Sequence, residues 1–319
     1  MKRFICLVVA AMFLMGQAGI AKAFTFDVKK MTATVEYQNL DKDIDSVGAA
    51  ANYGKSWTDT VDGDSNWMYS IGGNIAYEIN DVNMKGMMAN IGYNLSDTLQ
   101  PYILLGTMDL DFTQKLVGSY NENDDGDLYG GSMDLLQSHF DSQMFTYGFG
   151  AKGNLMDFSK TDDKGVSDGL GIKVGYDFRY YMGANGQNDG IVALPTSDYG
   201  MVVDNRTKAN FNEMDASLIA SKAFKMKKVV QTVTPYVGYK FSKVNLNIKN
   251  SVNIPLKYHE GKHGIYQEGI NVSEEQNLTS STQNALVGVG TKINANWSAS
   301  AGAVIGQDKG WVASVTYSF

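Results

Sequence analysis

The stretch "YHEGKHG" holds His259, Glu260 and His263 in the H-E-x-x-H order. On a helix that spacing sets two imidazoles on one face for zinc, with the glutamate as general base. Here Gly261 and Gly264 break a helix and Pro255 precedes it. A solvated loop is the better reading, and His259 and His263 are weak metal candidates only. "NENDDGDLYG" offers Asn121, Asn123, Asp125 and Gly126 in the manner of a calcium loop, but Ser132 stands where a bidentate glutamate is needed. The remaining histidine, His139, would have to meet a Ser or Asp across loops to build a hydrolytic dyad. The sequence therefore nominates no catalytic residue and no cofactor, and an enzyme is the least favoured class.

The ends of the chain say more. Lys2 and Arg3, then an apolar run from Phe4 to Met15, then Ala21-Lys22-Ala23 read as a signal peptide over residues 1–23, cut before Phe24. The run is too short to span a bilayer comfortably, and no later stretch has the eighteen or so apolar residues that a spanning helix needs. The only cysteine, Cys6, lies inside that leader, so disulfides do not hold the mature chain. Loss of Lys2, Arg3 and Lys22 takes 27 basic residues to 24 against 34 acidic ones, a net charge of −10. A nucleic-acid partner is excluded on charge. The 34 Gly, 18 Tyr and 14 Phe with only 4 Pro suit strands and short turns.

Strands are what the periodicity gives. In "GWVASVTYSF" Trp311, Ala313, Val315, Tyr317 and Phe319 alternate with small or polar residues, as do Trp67 to Ile79 and Leu170 to Tyr180. Strands are expected at 28–40, 48–57, 67–79, 84–94, 99–113, 143–153, 169–181, 211–223, 233–248, 283–293, 297–306 and 310–319, which makes about twelve. A phase slip between Phe241 and Val244 predicts a bulge near Ser242. Links alternate in length: short near Ser96 to Thr98 and at Ala295-Asn296, long and polar from Gln114 to Asp141, Gly183 to Lys208 and Asn250 to Asn277. Residues 155–168 form a long link on the otherwise short side.

A cleavable leader, an even set of alternating strands and a final strand ending on Phe319 resemble an outer-membrane β-barrel protein of a Gram-negative bacterium. The resemblance covers the mature chain, 24–319, and is specific for architecture within a porin-like class. It implies an all-β, transmembrane, antiparallel up-and-down barrel of about 12 strands, with 10 to 14 compatible. In lipid every backbone polar group needs an internal partner, which a closed barrel supplies. The resemblance also implies the outer membrane as location, outer-membrane lipid and lipopolysaccharide as surroundings, and the barrel assembly machinery as partner. Trp311, Val315, Tyr317 and Phe319 match the C-terminal assembly signal of that class.

With the aromatic and aliphatic face turned to lipid, the lumen receives Glu36, Glu78, Asp109 and Asp111 from the first strands. The later strands supply Lys152, Lys173, Arg179, Lys240 and Lys292, with Asp177 and Asp215 among them. Opposed acidic and basic walls would set a transverse field favouring polar solutes. A porin-like passive channel for small hydrophilic solutes is the first expectation. The alternative is a non-conducting surface barrel whose long loops bind a partner and whose charges pair across a filled interior.

Overall fold

The computed structural model describes residues 27–44, 46–47, 51–61, 65–124, 127–158, 171–194, 201–226, 232–260 and 264–319. The leader, 1–23, lies outside them. Among the described residues, after one 3-10 turn at Val28–Lys30 the regular elements are strands joined by turns. β1 (Met31–Lys42), β2 (Ser46–Val47), β3 (Ala51–Val61), β4 (Ser65–Tyr93), β5 (Gln100–Asp124) and β6 (Asp127–Asp157) are followed by β7 (Ile172–Leu194) and β8 (Met201–Lys222). β9 (Phe224–Lys225), β10 (Thr232–Glu260), β11 (Gly264–Lys292), β12 (Trp297–Gly306) and β13 (Lys309–Ser318) complete it.

All pairings are antiparallel, and the sheet closes on itself in the order β1-β4-β5-β6-β7-β8-β10-β11-β12-β13. The closing ladder pairs Thr32 with Ser318 and runs on to Asp41 with Lys309. Among the described residues ten strands make the ring, while β2 and β3 continue the line of β1 along β4, with β3 outside the ring. The expected segments 67–79 and 84–94 are one strand, β4. Its register shifts between Asn80 and Asn83, where Asp81 has φ 57, and that irregularity breaks the alternation by which a strand is recognised.

The polar stretches expected to be long loops are ladders instead. β5 and β6 stay paired up to Asp124 with Asp127, β7 and β8 up to Leu194 with Met201, and β10 and β11 up to Glu260 with Gly264. The short connections match expectation: Asn94 to Leu99 is closed by a bridge between Ser96 and Leu99, and the Asn294 carboxamide accepts from the Asn296 and Trp297 amides.

The bulge expected near Ser242 is absent. β10 keeps an unbroken register with β8 and β11 through that point. What changes is the chemistry of each face: Lys240, Ser242, Val244, Leu246 and Ile248 are buried on the inner face, while Lys243 is exposed outside. β5 does the same, with Leu104, Met108, Leu110 and Phe112 buried inside. The barrel therefore has two storeys. The lower one carries exposed outward Phe149, Leu218, Val237, Val287 and Trp311 as an apolar belt.

The upper storey begins where the β12–β13 hairpin turns at Gln307 and Asp308. Above that turn Ser280 Oγ donates to the Asp43 carbonyl at 2.6 Å, drawing β11 against the segment that follows β1. Seven strands of the ring, β4 to β8, β10 and β11, continue above it, with β2 and β3 paired along β4. Met84, Met88, Phe112, Phe140, Phe211 and Leu246 pack in the core between the strands. Phe112 and Phe140 stack at 4.6 Å between centroids.

Candidate functional site

Between the storeys lies a layer of charged side chains, each placed by strand alternation. Inward positions at period two put Asp177, Arg179 and Tyr181 on β7, Glu213, Asp215 and Ser217 on β8, and Lys240 and Ser242 on β10. β1 supplies Glu36, Gln38 and Lys42. β1 and β8 lie five strands apart in either direction around the ring, on opposite walls. Their side chains nevertheless meet: the Lys42 ammonium pairs with Glu213 and, at 3.3 Å, with Asp308 of the β12–β13 turn.

Glu213 also accepts from Ser242 Oγ at 2.6 Å and from the Tyr181 hydroxyl at 2.5 Å. Arg179 bridges the lumen a second time, with Nη1 on Glu36 at 2.6 Å and Nε on Asp215 at 2.9 Å. Lys240 sits 2.9 Å from Asp215. Glu213, Asp215 and Lys240 are at most 3 % exposed. Ions so buried are tolerable only when paired; each here has an opposite charge within 3 Å, while Asp215 Oδ1 and Lys240 Nζ make no hydrogen bond. The Ser242 and Tyr181 hydroxyls on Glu213 join the ion pairs in one buried polar layer, the seal, across the lumen.

Below the seal is a cavity of about 310 Å³, lined among others by Thr34, Tyr102, Lys152, Asp177, Tyr236 and Thr316. Two tyrosines lie flat against its wall. Tyr102 donates to Asp177 and passes over Gly150, and Tyr236 reaches across β11 to β12, where a Cβ on Gly302 would lie 2.2 Å from its hydroxyl. Glycine at 302 is thus required by close approach. Above the seal the bore is packed.

The expected lumen residues divide. Glu36, Arg179 and Lys240 belong to the seal, and Lys152 faces the cavity with its ammonium 5.7 Å from the Tyr102 ring centre. Lys173 and Lys292 are exposed inward-phase positions at the lower mouth, the first paired with Asp157 at 3.0 Å. Glu78 is in register with Lys115 on β5, but its side chain lies outside the described residues.

Asp109 and Asp111 require a correction: they pair with Gln143 and Asp141 on the outer face of the upper storey, because Leu110 and Phe112 occupy the inner phase. Nor do acids and bases form separate walls, since Asp177 and Asp215 alternate with Arg179 and face Lys240.

His139 does approach Asp111, Nε2 to Oδ1 3.2 Å, but on an open outer surface with the histidine side chain 60 % exposed. His259 is in β10 and its side chain, like all of His263, lies outside the described residues. Among the described residues no group of three or more His, Cys, Asp or Glu could hold a metal.

Trp311, Val315, Tyr317 and Phe319 all face outward in the lower storey. Trp297, Tyr317 and Phe319 stack edge to face with centroids 4.9 Å apart, and the Phe319 amide donates to the Met31 carbonyl.

Sequence reasoning missed Lys42, Glu213 and Asp308. Glu213 was within reach, two residues before Asp215 on the same face. Lys42 and Asp308 were hidden in "DKDID" and "GQDKG", both of which read as loops.

No family model matches the chain, and no curated protein does. Solved structures similar to it include the transport unit of the autotransporter AIDA-I from Escherichia coli, 11% identical over 97% of each chain with a TM-score of 0.28. The CymD monoaromatic hydrocarbon channel is 10% identical over 91% of this chain and 88% of its own, with a TM-score of 0.31. The toluene transporter TbuX of Ralstonia pickettii is 8% identical over 90% and 88%, with a TM-score of 0.30. Likenesses this low carry no argument about what the chain binds or conducts.

Proposed function

We propose that the chain is an outer-membrane β-barrel whose lumen is closed, and that it acts through its surface, the upper storey and its extended hairpins serving to engage a partner outside the cell. One observation carries this reading: Lys42 with Glu213, and Arg179 with Glu36, pair across the bore between opposite walls, directly beneath a packed apolar core. An open porin would leave those groups solvated. The geometry favours this reading over a passive channel for small hydrophilic solutes.

Location follows from the belt. Its exposed apolar residues have no counterpart surface among the described residues, and lipid satisfies them while the ring satisfies the backbone. Export by the leader at 1–23 and assembly read from Phe319 belong to the same proposal, which gives the chain no catalytic step.

Planar-bilayer recording tests it. The refolded mature chain is expected to give no steady conductance steps in 1 M salt. Reproducible ohmic steps with a defined reversal potential in a salt gradient would overturn closure and restore the channel.

A further inference from the structure

In the lower storey β11 is paired on both sides, with β10 and with β12. The β11–β12 ladder ends at Asn284 with Gly306, while β11 itself reaches up to Gly264. Just above that end Ser280 Oγ holds the Asp43 carbonyl at 2.6 Å. Higher still, no strand among the described residues pairs with β11 on the side away from β10.

Parity fixes where its main-chain groups point. The Ile293 amide donates to the Trp297 carbonyl and the Gln283 amide to the Gln307 side chain, so odd-numbered residues direct N–H and C=O to the β12 side. The register with β10 is unbroken, so Glu275, Asn277 and Thr279 direct theirs the same way, to the unpaired side. Such a row of donors and acceptors is a template for another strand, and natural edges guard it with devices such as proline, lysine or a bulge. From Glu275 to Ser281 β11 has none of the three, and Lys249 on β10 answers the Glu275 carboxylate at 2.9 Å. Nor do side chains fold over the edge. Glu275 and Asn277 accept from Asn247 at 2.8 and 2.6 Å, and Thr279 donates to Asn245 at 2.8 Å, all toward β10.

The apolar core also runs out on this side. Leu246 on β10 is 1 % exposed, yet Leu278, its partner in register, packs against the same cluster and is only half-buried. An inward side chain on one more strand would complete its cover.

We infer that the β11 edge above Ser280 receives an extended segment of a partner polypeptide as an added antiparallel strand in the line of β12, with apolar side chains inward over Leu278 and polar ones outward. Main-chain bonds supply affinity in such strand addition, and alternate side chains supply specificity. A second copy in the same membrane does not fit: barrel strands tilt by about 35–45°, so a two-fold along the membrane normal would cross the two edges at about 70–90°. The inference names the partner of the surface role proposed above and rests on that reading. Conductance steps would count against the closed lumen, whereas peptide binding reads the edge alone.

Fluorescence anisotropy of a labelled peptide of alternating valine and threonine, titrated with the refolded mature chain in micelles, provides the measurement. In an antiparallel ladder the peptide residues opposite Glu275, Asn277 and Thr279 carry their side chains on the same outer face, so the threonine amides bond to the edge. The wild type is expected to bind the peptide. N-methylation of the threonine amides weakens binding about ten-fold or more, and N-methylation of the valine amides leaves it unchanged. Asn277→Pro removes one edge N–H without breaking the β10 ladder and loses binding, while Asn277→Ala keeps it. Heat-shifted gel mobility identifies folded variants, and the peptide series on the wild type decides the matter if the proline variant does not fold. No binding, equal loss from both methylation patterns, or binding untouched by threonine methylation would each overturn the inference. So would a dimer in native mass spectrometry that Asn277→Pro abolishes, by giving the edge to a second copy.

Discussion

Below Asp308 the wall has ten strands, a polar interior with a cavity, and an apolar exterior; above it, the continuing strands β4 to β8, β10 and β11 bury apolar side chains and present a polar exterior. The same strands build both. β5 and β10 run through the boundary with the pleat unchanged, so residues of one parity point inward along the whole described length. What reverses is the solvent on each side. In the lower storey the ten-stranded ring keeps polar groups inside, and the proposed membrane placement sets the belt against hydrocarbon. In the upper storey the strands pack as those of a water-soluble protein do, by burying apolar side chains between them. The seal sits where the two regimes meet and closes one against the other.

The comparison breaks most readily at the seal. Glu213→Gln leaves the buried Lys42 ammonium with Asp308 as its one carboxylate partner, and losing one partner of a buried pair costs up to about 3–5 kcal/mol; a fall in the urea midpoint of the refolded barrel checks it. Because Lys42 is also the cation on buried Asp308, the triple change Lys42→Met, Glu213→Leu and Asp308→Asn is the one expected to recover much of that loss.

The two storeys separate most sharply by aromatic truncation. Phe140→Ala, in the upper core, is expected to cost about 3–5 kcal/mol through lost burial and a cavity, whereas Phe149→Ala on the belt exchanges contact with lipid and has a smaller effect on the same midpoint. Asp109→Asn with Asp111→Asn, on the wet exterior, is expected to change stability by no more than about 0.5 kcal/mol.

The smallest effect belongs to Glu275 on the upper exterior. The amide of Asn247, then Lys249, holds its carboxyl below the usual range. A lowered folded pKa gives stability that is present above the ordinary glutamate value of about 4.3 and is lost as pH falls through the folded value. Glu275→Gln should therefore lower Tm slightly at pH 7, with the difference shrinking as pH falls through the folded value.

Much of the architecture was legible because alternation is a local property. The final strand, with Trp311 to Phe319 on one face, was readable outright, as were Glu36 and Arg179 as inward residues. Asp109 and Asp111 were misplaced because apolar was equated with lipid-facing along a whole strand, a rule that holds only while the exterior is hydrocarbon. The same rule turned the change of regime at Ser242 into an apparent bulge. Polar ladders beyond residue 114 read as loops because a strand with water on its outer face lacks the aromatic rhythm of the belt. Lys42 meeting Glu213 depends on ring closure, which brings together residues 171 positions apart, and no local pattern carries that.

The inversion itself is best tested by single cysteines, since the sequence has no cysteine after Cys6. Asp109→Cys and Leu110→Cys are neighbours on β5 with opposite facings. Treated in intact cells with a membrane-impermeant maleimide, Asp109→Cys is expected to label fully and Leu110→Cys to stay unmodified until the barrel is unfolded by boiling. Rapid labelling of Leu110→Cys with protection of Asp109→Cys would mean a water-filled bore with the acids' face turned away from solvent, and would contradict the two-storey account.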